Sequence, residues 1–284
     1  GAELGTRREI PSTRDLYAVS RALEDHHIDA LLVIGGYSAY EGIYTMMTER
    51  DRYPAFRIPT VCIPASIDNN LPGSELSIGT DTALNVIVEA MDKIKESGIA
   101  SRRCFVVETM GRDCGYLALM SGIAAGAERI YTNEDGISLD DLANDVHWLR
   151  ESFAHGRRLF LAVRNENASH NYTTDFIARL LEEESHGMYD VRQVVLGHMQ
   201  QGGSPSPFDR LLANRLGYRA LNLIDDELAA HQDGSWFIGV NESGMRPCSM
   251  DTMPSLIDAA HRRPREQWWL QLRTIARMVS DDVR

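Results

Sequence analysis

Short aliphatic or β-branched runs recur along the chain, each closing on glycine or polar residues and each followed by a helical period. This alternation predicts βαβ units of a parallel sheet. DALLVIGG (29–36) leads into the helical period of YSAYEGIYTMMTER, and IPTVCIP (58–64) leads into SIDNNLPGSELS and a helix near Asp81 to Ser97. RRCFVVETMG (102–111) again ends in glycine, and YLALMSGIAAGA behind it is a small-residue helix suited to close packing on a sheet. RRLFLAVRNE (157–166) and VRQVVLGHMQQGG (191–203) predict two further strands with polar groups at their C-terminal ends, where ligands of open parallel sheets collect. DLANDVHWLRESF, TTDFIARLLEEE and, after the Pro205/Pro207 turn, FDRLLANRLGYRALNLI carry the three-four spacing of amphipathic helices.

The fold expected from this pattern is α/β, with two Rossmann-like parallel-sheet lobes and helices on both sheet faces. The lobes are expected over residues 1–134 and 135–255, with a C-terminal tail and helix over 256–284. GAELGTRREIP offers no first strand and no opening glycine loop, so the chain is expected to begin part-way through its fold.

Composition narrows the classes of partner. Hydrophobic residues make up 43% of the chain, enough to fill a core. No stretch approaches the roughly 18 uninterrupted apolar residues of a membrane span, and the first residues show no basic-then-apolar signal pattern. A cytoplasmic protein without a membrane partner is expected. The net charge of −12 argues against nucleic acid or an acidic membrane surface. An anionic small molecule would need several converging arginines. Cys62, Cys104, Cys114 and Cys248 lack the paired spacing of a zinc site and read as buried reduced thiols.

Polar residues at the predicted strand ends carry the candidate chemistry. Asp68, in SIDNN (66–70), is placed to act as a general base toward a hydroxyl, or simply to cap the next helix. In ETMGRDCG (108–115), Gly111 would let a ligand approach the backbone while Arg112 pairs with phosphate. Arg103, Arg192, His198 and Glu166 lie at or near the ends of three strands, so placed that they would converge on one anionic polyol. Each taken singly is more often a surface ion pair. Arg262 and Arg263, in HRRPREQWW, resemble a basic patch beside an aromatic anchor, Trp268 and Trp269 pinning the C-terminal tail. The alternative is a solvated turn followed by a packed helix.

Together, SIDNNLPGSELSIGTDTALN, VVETMGRDCGYLAL, VLGHMQQGGSPSPFDR and REQWWLQLR closely resemble the 6-phosphofructokinase family, and the resemblance runs from LGTRR (4–8) almost to the C-terminus. It implies transfer of the ATP γ-phosphoryl group, with magnesium, to the 1-hydroxyl of fructose 6-phosphate in glycolysis. Lobe 1–134 would be the nucleotide side and 135–255 the sugar-phosphate side. Asp68 occupies the place of the catalytic base, and Arg112 is the second catalytic candidate. Sugar-phosphate contacts would carry over to Ser66, Met110, Gly111, Arg112, Glu166 and His198. Arg103 and Arg192 would reach in from a neighbouring half or subunit, which implies a homo-oligomer or a partner half.

Departures from the catalytic pattern accompany the resemblance. The nucleotide-side GGDGS motif appears as Gly35, Gly36, Tyr37, Ser38 and Ala39, so that Tyr37 and Ser38 replace its aspartate and glycine. Asn70 replaces the second carboxylate of the TIDND-like motif. Both changes weaken magnesium and ATP binding as the family performs it. They resemble the C-terminal half of the duplicated eukaryotic enzyme, whose former substrate pocket takes the activator fructose 2,6-bisphosphate. The activator contacts implied are Arg8, the run Ser66, Ile67, Asp68, Asn69 and Asn70, then Arg103, Met110 to Arg112, Glu166 and Arg192, and finally His198, Met199, Gln200, Gln201 and Arg262. Gln201 stands where catalytic halves usually carry arginine. Asp68 and Arg112 stand where regulatory halves usually carry serine and glycine, so the alternative is a catalytic subunit with Asp68 as general base. A pyrophosphate-using relative lacks its distinguishing residues here, and a scaffold with an empty pocket would leave Arg103, Arg192 and Arg262 in solvent ion pairs.

Overall fold

The computed structural model describes residues 15–98 and 101–281. The opening LGTRR and Arg8 therefore lie outside the described residues. In chain order the elements are helix α1 (Leu16–Asp25), strand β1 (Leu31–Gly35), α2 (Tyr37–Thr48), β2 (Thr60–Pro64), α3 (Thr80–Gly98), β3 (Arg103–Thr109) and α4 (Tyr116–Ala125). There follow β4 (Arg129–Tyr131), α5 (Leu139–Ala154), β5 (Leu159–Asn165), α6 (Thr174–Glu184), β6 (Asp190–Val195) and α7 (Pro207–Ala229). The last are β7 (Ser235–Asn241), β8 (Gly244–Ser249), α8 (Met253–Leu256), the two-residue strands β9 (Ile257–Asp258) and β10 (Arg263–Pro264), and α9 (Arg273–Asp281). None of the described helices is long and apolar enough to cross a membrane.

The chain forms two compact units, and neither is a continuous stretch. Of the described residues, unit 1 comprises 15–66, 70–79 and 205–267. Its sheet runs β1-β2-β7-β8, with β1, β2 and β7 parallel and β8 an antiparallel edge. Alternation along β2 sends Cys62 into a core with Leu16, Leu23, Tyr40, Ile43 and Met46 of α1 and α2, and Val61 and Ile63 into a second core with Leu212, Leu216 and Ala220 of α7. Burial of each such aliphatic side chain contributes about 1.5–3 kcal/mol. Ser206 starts α7 by accepting the Asp209 N–H at 3.2 Å, with Pro207 in the first turn.

Of the described residues, unit 2 comprises 67–69, 80–98, 101–204 and 268–281. Its sheet runs β4-β5-β3-β6, wholly parallel. Both faces of β3 are buried, Phe105 and Val107 against α3 and α4, Cys104 and Val106 against α5 and α6, which is why these strands read as continuous apolar runs. Gly122 lets α4 lie on the sheet, since a Cβ there would come within 2.6 Å of Ile130. Helix α5 opens with a capping box in which Ser138 and Asp141 exchange hydrogen bonds. Their bonding holds the Asp141 carboxyl below its ordinary range. Trp269 is buried and packs edge-on to Tyr116 at 5.8 Å, fixing the C-terminal segment within unit 2.

This division differs from the consecutive lobes 1–134, 135–255 and 256–284. Strand β3 needs partners on both sides, and it takes β5 and β6 rather than the β1 and β2 that precede it. The chain then returns to unit 1 through α7, where β7 pairs with β2. The C-terminal stretch splits too, residues 256–267 joining unit 1 and 268–281 unit 2. The strand expected over 191–203 ends at Val195, and Gly197–Gln201 is a tight helical turn.

Candidate functional site

At the C-terminal edge of the unit 2 sheet, three strand ends lie side by side, with Thr109 of β3 opposite Asn165 of β5 and Glu108 of β3 opposite Val195 of β6. The turn Met110-Gly111-Arg112 leaves β3 there as a shelf of backbone. Glu166 Oε1 accepts the Gly111 N–H at 3.1 Å and the Arg112 N–H at 2.7 Å. Gln200 Oε1 accepts the Met110 N–H at 3.1 Å, and Gln200 is itself held by donating to the Gly197 carbonyl at 3.0 Å. Cys114 N–H closes the turn on the Gly111 carbonyl at 2.9 Å. Gly111 has φ 131° and Arg112 φ 50°, both in space that side chains disfavour.

Of the expected site residues, Glu166 thus accepts hydrogen bonds from the backbone through one carboxylate oxygen. Arg112 is exposed, and its guanidinium makes no ion pair with the described residues. His198, Met199 and Gln201 are exposed on the turn after β6, where Gln201 Nε2 approaches the Met110 sulfur at 3.7 Å. Asp68 and Asn69 follow β2 and belong to unit 2, where the neighbouring Ile67 packs on its core. Asp68 is half-buried, and Asn69 is buried with φ 51°. Asparagine suits that left-handed position.

Two arginines do not join this shelf. Arg103 is the first residue of β3, about 23 Å of extended strand before Met110. Arg192 pairs in register with Phe105 and lies beside Asp190 at 3.8 Å. Parallel strands put their beginnings and their ends at opposite sheet edges, so Arg103 lies at the edge opposite Glu166 and His198, and Arg192 lies part-way along β6, short of the shelf.

Pattern reading overlooked Asn165 and Asn167. Asn165 is fully buried and donates through Nδ2 to the carbonyls of Met110 and Cys114 at 3.4 and 3.3 Å. Asn167 donates to Asp113 at 3.0 Å. The available signal was RNEN, where asparagines flank Glu166 at the end of an otherwise apolar strand.

In unit 1, the residues expected on the nucleotide side form a second cluster. Gly35 ends β1, Gly36 precedes α2, and Tyr37 opens that helix with its ring buried. The Arg262 guanidinium lies 4.6 Å from the Tyr37 ring centroid, donates to Ser38 Oγ at 3.3 Å and pairs with Glu41 Oε2 at 2.5 Å. Burial, more than the neighbouring Glu41, pushes the Tyr37 hydroxyl pKa up. Arg262 sits at the tip of the β9–β10 hairpin with φ 52°. Its carbonyl accepts Asn70 Nδ2 at 2.9 Å, and Asn70 Oδ1 accepts Ser66 Oγ at 3.2 Å. The Ser66 N–H in turn donates to Ser77 Oγ at 2.6 Å.

Asn70 thus does work that a carboxylate would not, because only an amide donates to the Arg262 carbonyl. Asn70→Asp is expected to lower stability by about 2 kcal/mol through carboxylate and carbonyl facing one another in a buried place, read as a lower urea midpoint. The same chemistry bears on magnesium. Tyr37, Ser38 and Asn70 offer no carboxylate at the positions where the resemblance puts metal-binding ones, Glu41 is taken by Arg262, and no acidic, histidine or cysteine cluster able to hold a metal occurs among the described residues. These residues do not fit a magnesium–nucleotide site.

A family model described as Phosphofructokinase matches residues 1–224. Platelet-type ATP-dependent 6-phosphofructokinase of Rattus norvegicus is 41% identical over 290 residues, covering 99% of this chain and 37% of that protein. The ATP-dependent 6-phosphofructokinase of Dictyostelium discoideum is 41% identical over 283 residues, covering 99% of this chain and 34% of the relative. The chain therefore spans little more than a third of these relatives' length. Among solved structures, phosphofructokinase from Saccharomyces cerevisiae superposes with a TM-score of 0.94 at 34% identity, covering 99% of this chain and 39% of that one. A pyrophosphate-dependent phosphofructokinase from Marinobacter aquaeolei, at 18% identity and a TM-score of 0.72, shares the fold.

Proposed function

This chain belongs to the phosphofructokinase family, and we propose that it is the regulatory, sugar-phosphate-binding half of an ATP-dependent 6-phosphofructokinase. In this reading it takes fructose 2,6-bisphosphate or fructose 6-phosphate and leaves phosphoryl transfer from ATP to a catalytic half. The observation that carries the reading is the contrast between the two clusters. The nucleotide-side turn of unit 1 is occupied by its own side chains, with Tyr37 buried beneath Arg262 and Arg262 neutralised by Glu41. The shelf of unit 2 keeps its backbone supports, and Arg112, His198 and Gln201 remain exposed to meet an anionic sugar.

Arg103 at the start of β3 and Arg192 part-way along β6, both away from the shelf, fit delivery to the site of a neighbouring half or subunit, and so an oligomer. The relatives' named activity supports a cytoplasmic glycolytic setting. Asp68 favours the second reading, a catalytic subunit, because a carboxylate is retained where a base would take the proton of the attacking hydroxyl.

Calorimetric titration of the 284-residue chain with both fructose phosphates, then assay for fructose 1,6-bisphosphate after adding ATP and magnesium, separates the two. Bisphosphate binding without turnover is expected. Turnover that Asp68→Ser abolishes would make the chain a kinase, and failure to bind either sugar would overturn both readings.

A further inference from the structure

Helix α7 of unit 1 carries apolar residues on two sides. One side, with Leu212, Leu216, Ala220 and Leu223, packs on the sheet of its own unit. The other faces solvent and still carries large apolar side chains, Leu211 being 64% exposed, Tyr218 71%, Leu221 53% and Leu228 39%. A helix that covers a sheet with one stripe ordinarily bears polar residues on the rest of its surface, and an exposed apolar stripe marks an interaction site.

These four residues form a regular series with Asn214 and Asp225, both exposed. Positions 211, 214, 218, 221, 225 and 228 alternate steps of three and four, the spacing of a seam between two helices. The series reads the same in both directions. An identical helix laid antiparallel therefore sets Leu211 against Leu228, Tyr218 against Leu221 and Asn214 against Asp225, each pair occurring twice about a two-fold axis. Apolar residues meet apolar ones, and the one polar pair matches an amide donor to a carboxylate acceptor. A parallel partner would instead oppose Asp225 to its own copy. Charge along the helix favours the same orientation, since the exposed Arg210 and Arg215 lie in its first half and the exposed Asp225 and Asp226 near its end. Among the described residues, Arg215, Asp225 and Asp226 form no ion pair.

We propose that α7 is a self-association surface on which a second copy of this chain docks its own α7 antiparallel, across Tyr218 and Leu221, to form a two-fold dimer through unit 1. The proposal does not involve the sugar-phosphate site, so failure of the binding reading would leave it standing. Leu221→Lys, at the centre of the seam, is expected to raise the dimer's dissociation constant at least about tenfold, because the substitution meets Tyr218 at both symmetric places. Asn214→Asp would set a carboxylate against that of Asp225 and weaken the dimer in the same direction. Adding Asp225→Asn to it restores an amide–carboxylate pair with its members exchanged, and dimerisation should return. All three positions are exposed, so each variant should keep the parent's secondary structure by circular dichroism.

Sedimentation velocity over a dilution series of the 284-residue chain compares the parent with Leu221→Lys, Asn214→Asp and the Asn214→Asp/Asp225→Asn exchange. A parent dimer that both single variants weaken and the exchange restores is the expected result. A parent that stays monomeric throughout overturns the proposal and leaves the stripe to an unlike partner such as a catalytic half. An oligomer indifferent to Leu221→Lys also overturns it, because association would then use another face, and an exchange that restores nothing overturns the antiparallel pairing. Mild oxidation reads the orientation directly. Leu211→Cys/Leu228→Cys should cross-link two copies while Leu211→Cys alone should not, and cross-linking by the single variant would mean parallel helices and sink the arrangement.

Discussion

Replacing Arg164 with methionine is expected to lower the stability of unit 2 by more than about 3 kcal/mol, the cost of breaking a buried ion pair and stranding its partners. Arg164 lies on β5 with its side chain 1% exposed. Nη1 pairs with Glu108 on the neighbouring strand at 2.9 Å and reaches the Glu166 carbonyl at 3.0 Å, while Nη2 donates to the Ser169 carbonyl at 2.6 Å and Nε to that of Tyr172 at 3.2 Å. One guanidinium therefore satisfies three loop carbonyls that otherwise lose their donors, and methionine supplies none. Thr174 also bonds Glu108, so the damage extends to the start of α6. Lysine at 164 would restore charge without the fork of donors and is expected to recover less than half of the loss. Urea unfolding followed by tryptophan fluorescence is suited to the test, because Trp148, Trp268 and Trp269 all belong to unit 2. A methionine variant within 1 kcal/mol of the parent would refute this account of the network.

The same arginine shows where a sequence stops being readable. RRLFLAVRNE is legible as a strand because its apolar run is continuous, yet nothing in the pattern distinguishes Arg164, facing inward, from the exposed Arg158 just before the strand. Periodicity finds β2, β3 and β5 because their buried faces dictate residue type. It overlooks β7, although Phe237 and Ile238 are wholly buried, since the run is short and interrupted by Gly239. It overlooks β8, whose Arg246 and Pro247 suit an edge strand and little else. The discontinuous make-up of the two units is hidden for a different reason: sheet partners are chosen by matching faces, and chain order records none of that. In the candidate site, residues whose side chains carry chemistry, such as Glu166 and Arg112, stand out at strand ends. The fact that Glu166 spends one oxygen on backbone N–H groups, or that Arg262 is held by Glu41, depends on distances that no spacing rule encodes.

A second large effect concerns the shelf itself, and it sets two adjacent residues against each other. Gly111→Ala is expected to destabilise unit 2 by about 2–4 kcal/mol and to weaken fructose 6-phosphate binding at least about thirtyfold, the counterpart of roughly 2 kcal/mol. With φ at 131°, position 111 is closed to an L side chain, and an added Cβ would stand 2.4 Å from the Cys114 carbonyl oxygen and 2.9 Å from Asn165 Nδ2. The first of these is backbone and the second is a buried amide already bonded to two carbonyls, so neither yields cheaply. Relief must come from the turn, which pulls the Gly111 and Arg112 N–H groups off Glu166 and dismantles the support on which a sugar phosphate would rest. Arg112→Gly is predicted to behave oppositely toward the fold. Its φ of 50° is one that glycine adopts without strain, so stability should hold or rise by up to about 1 kcal/mol, while the loss of an exposed guanidinium weakens ligand binding alone. Thermal unfolding and calorimetric titration of both variants decide the matter. If Gly111→Ala binds like the parent, the shelf is not the ligand's platform, and if Arg112→Gly unfolds early, its backbone is held by something other than the bonds to Glu166.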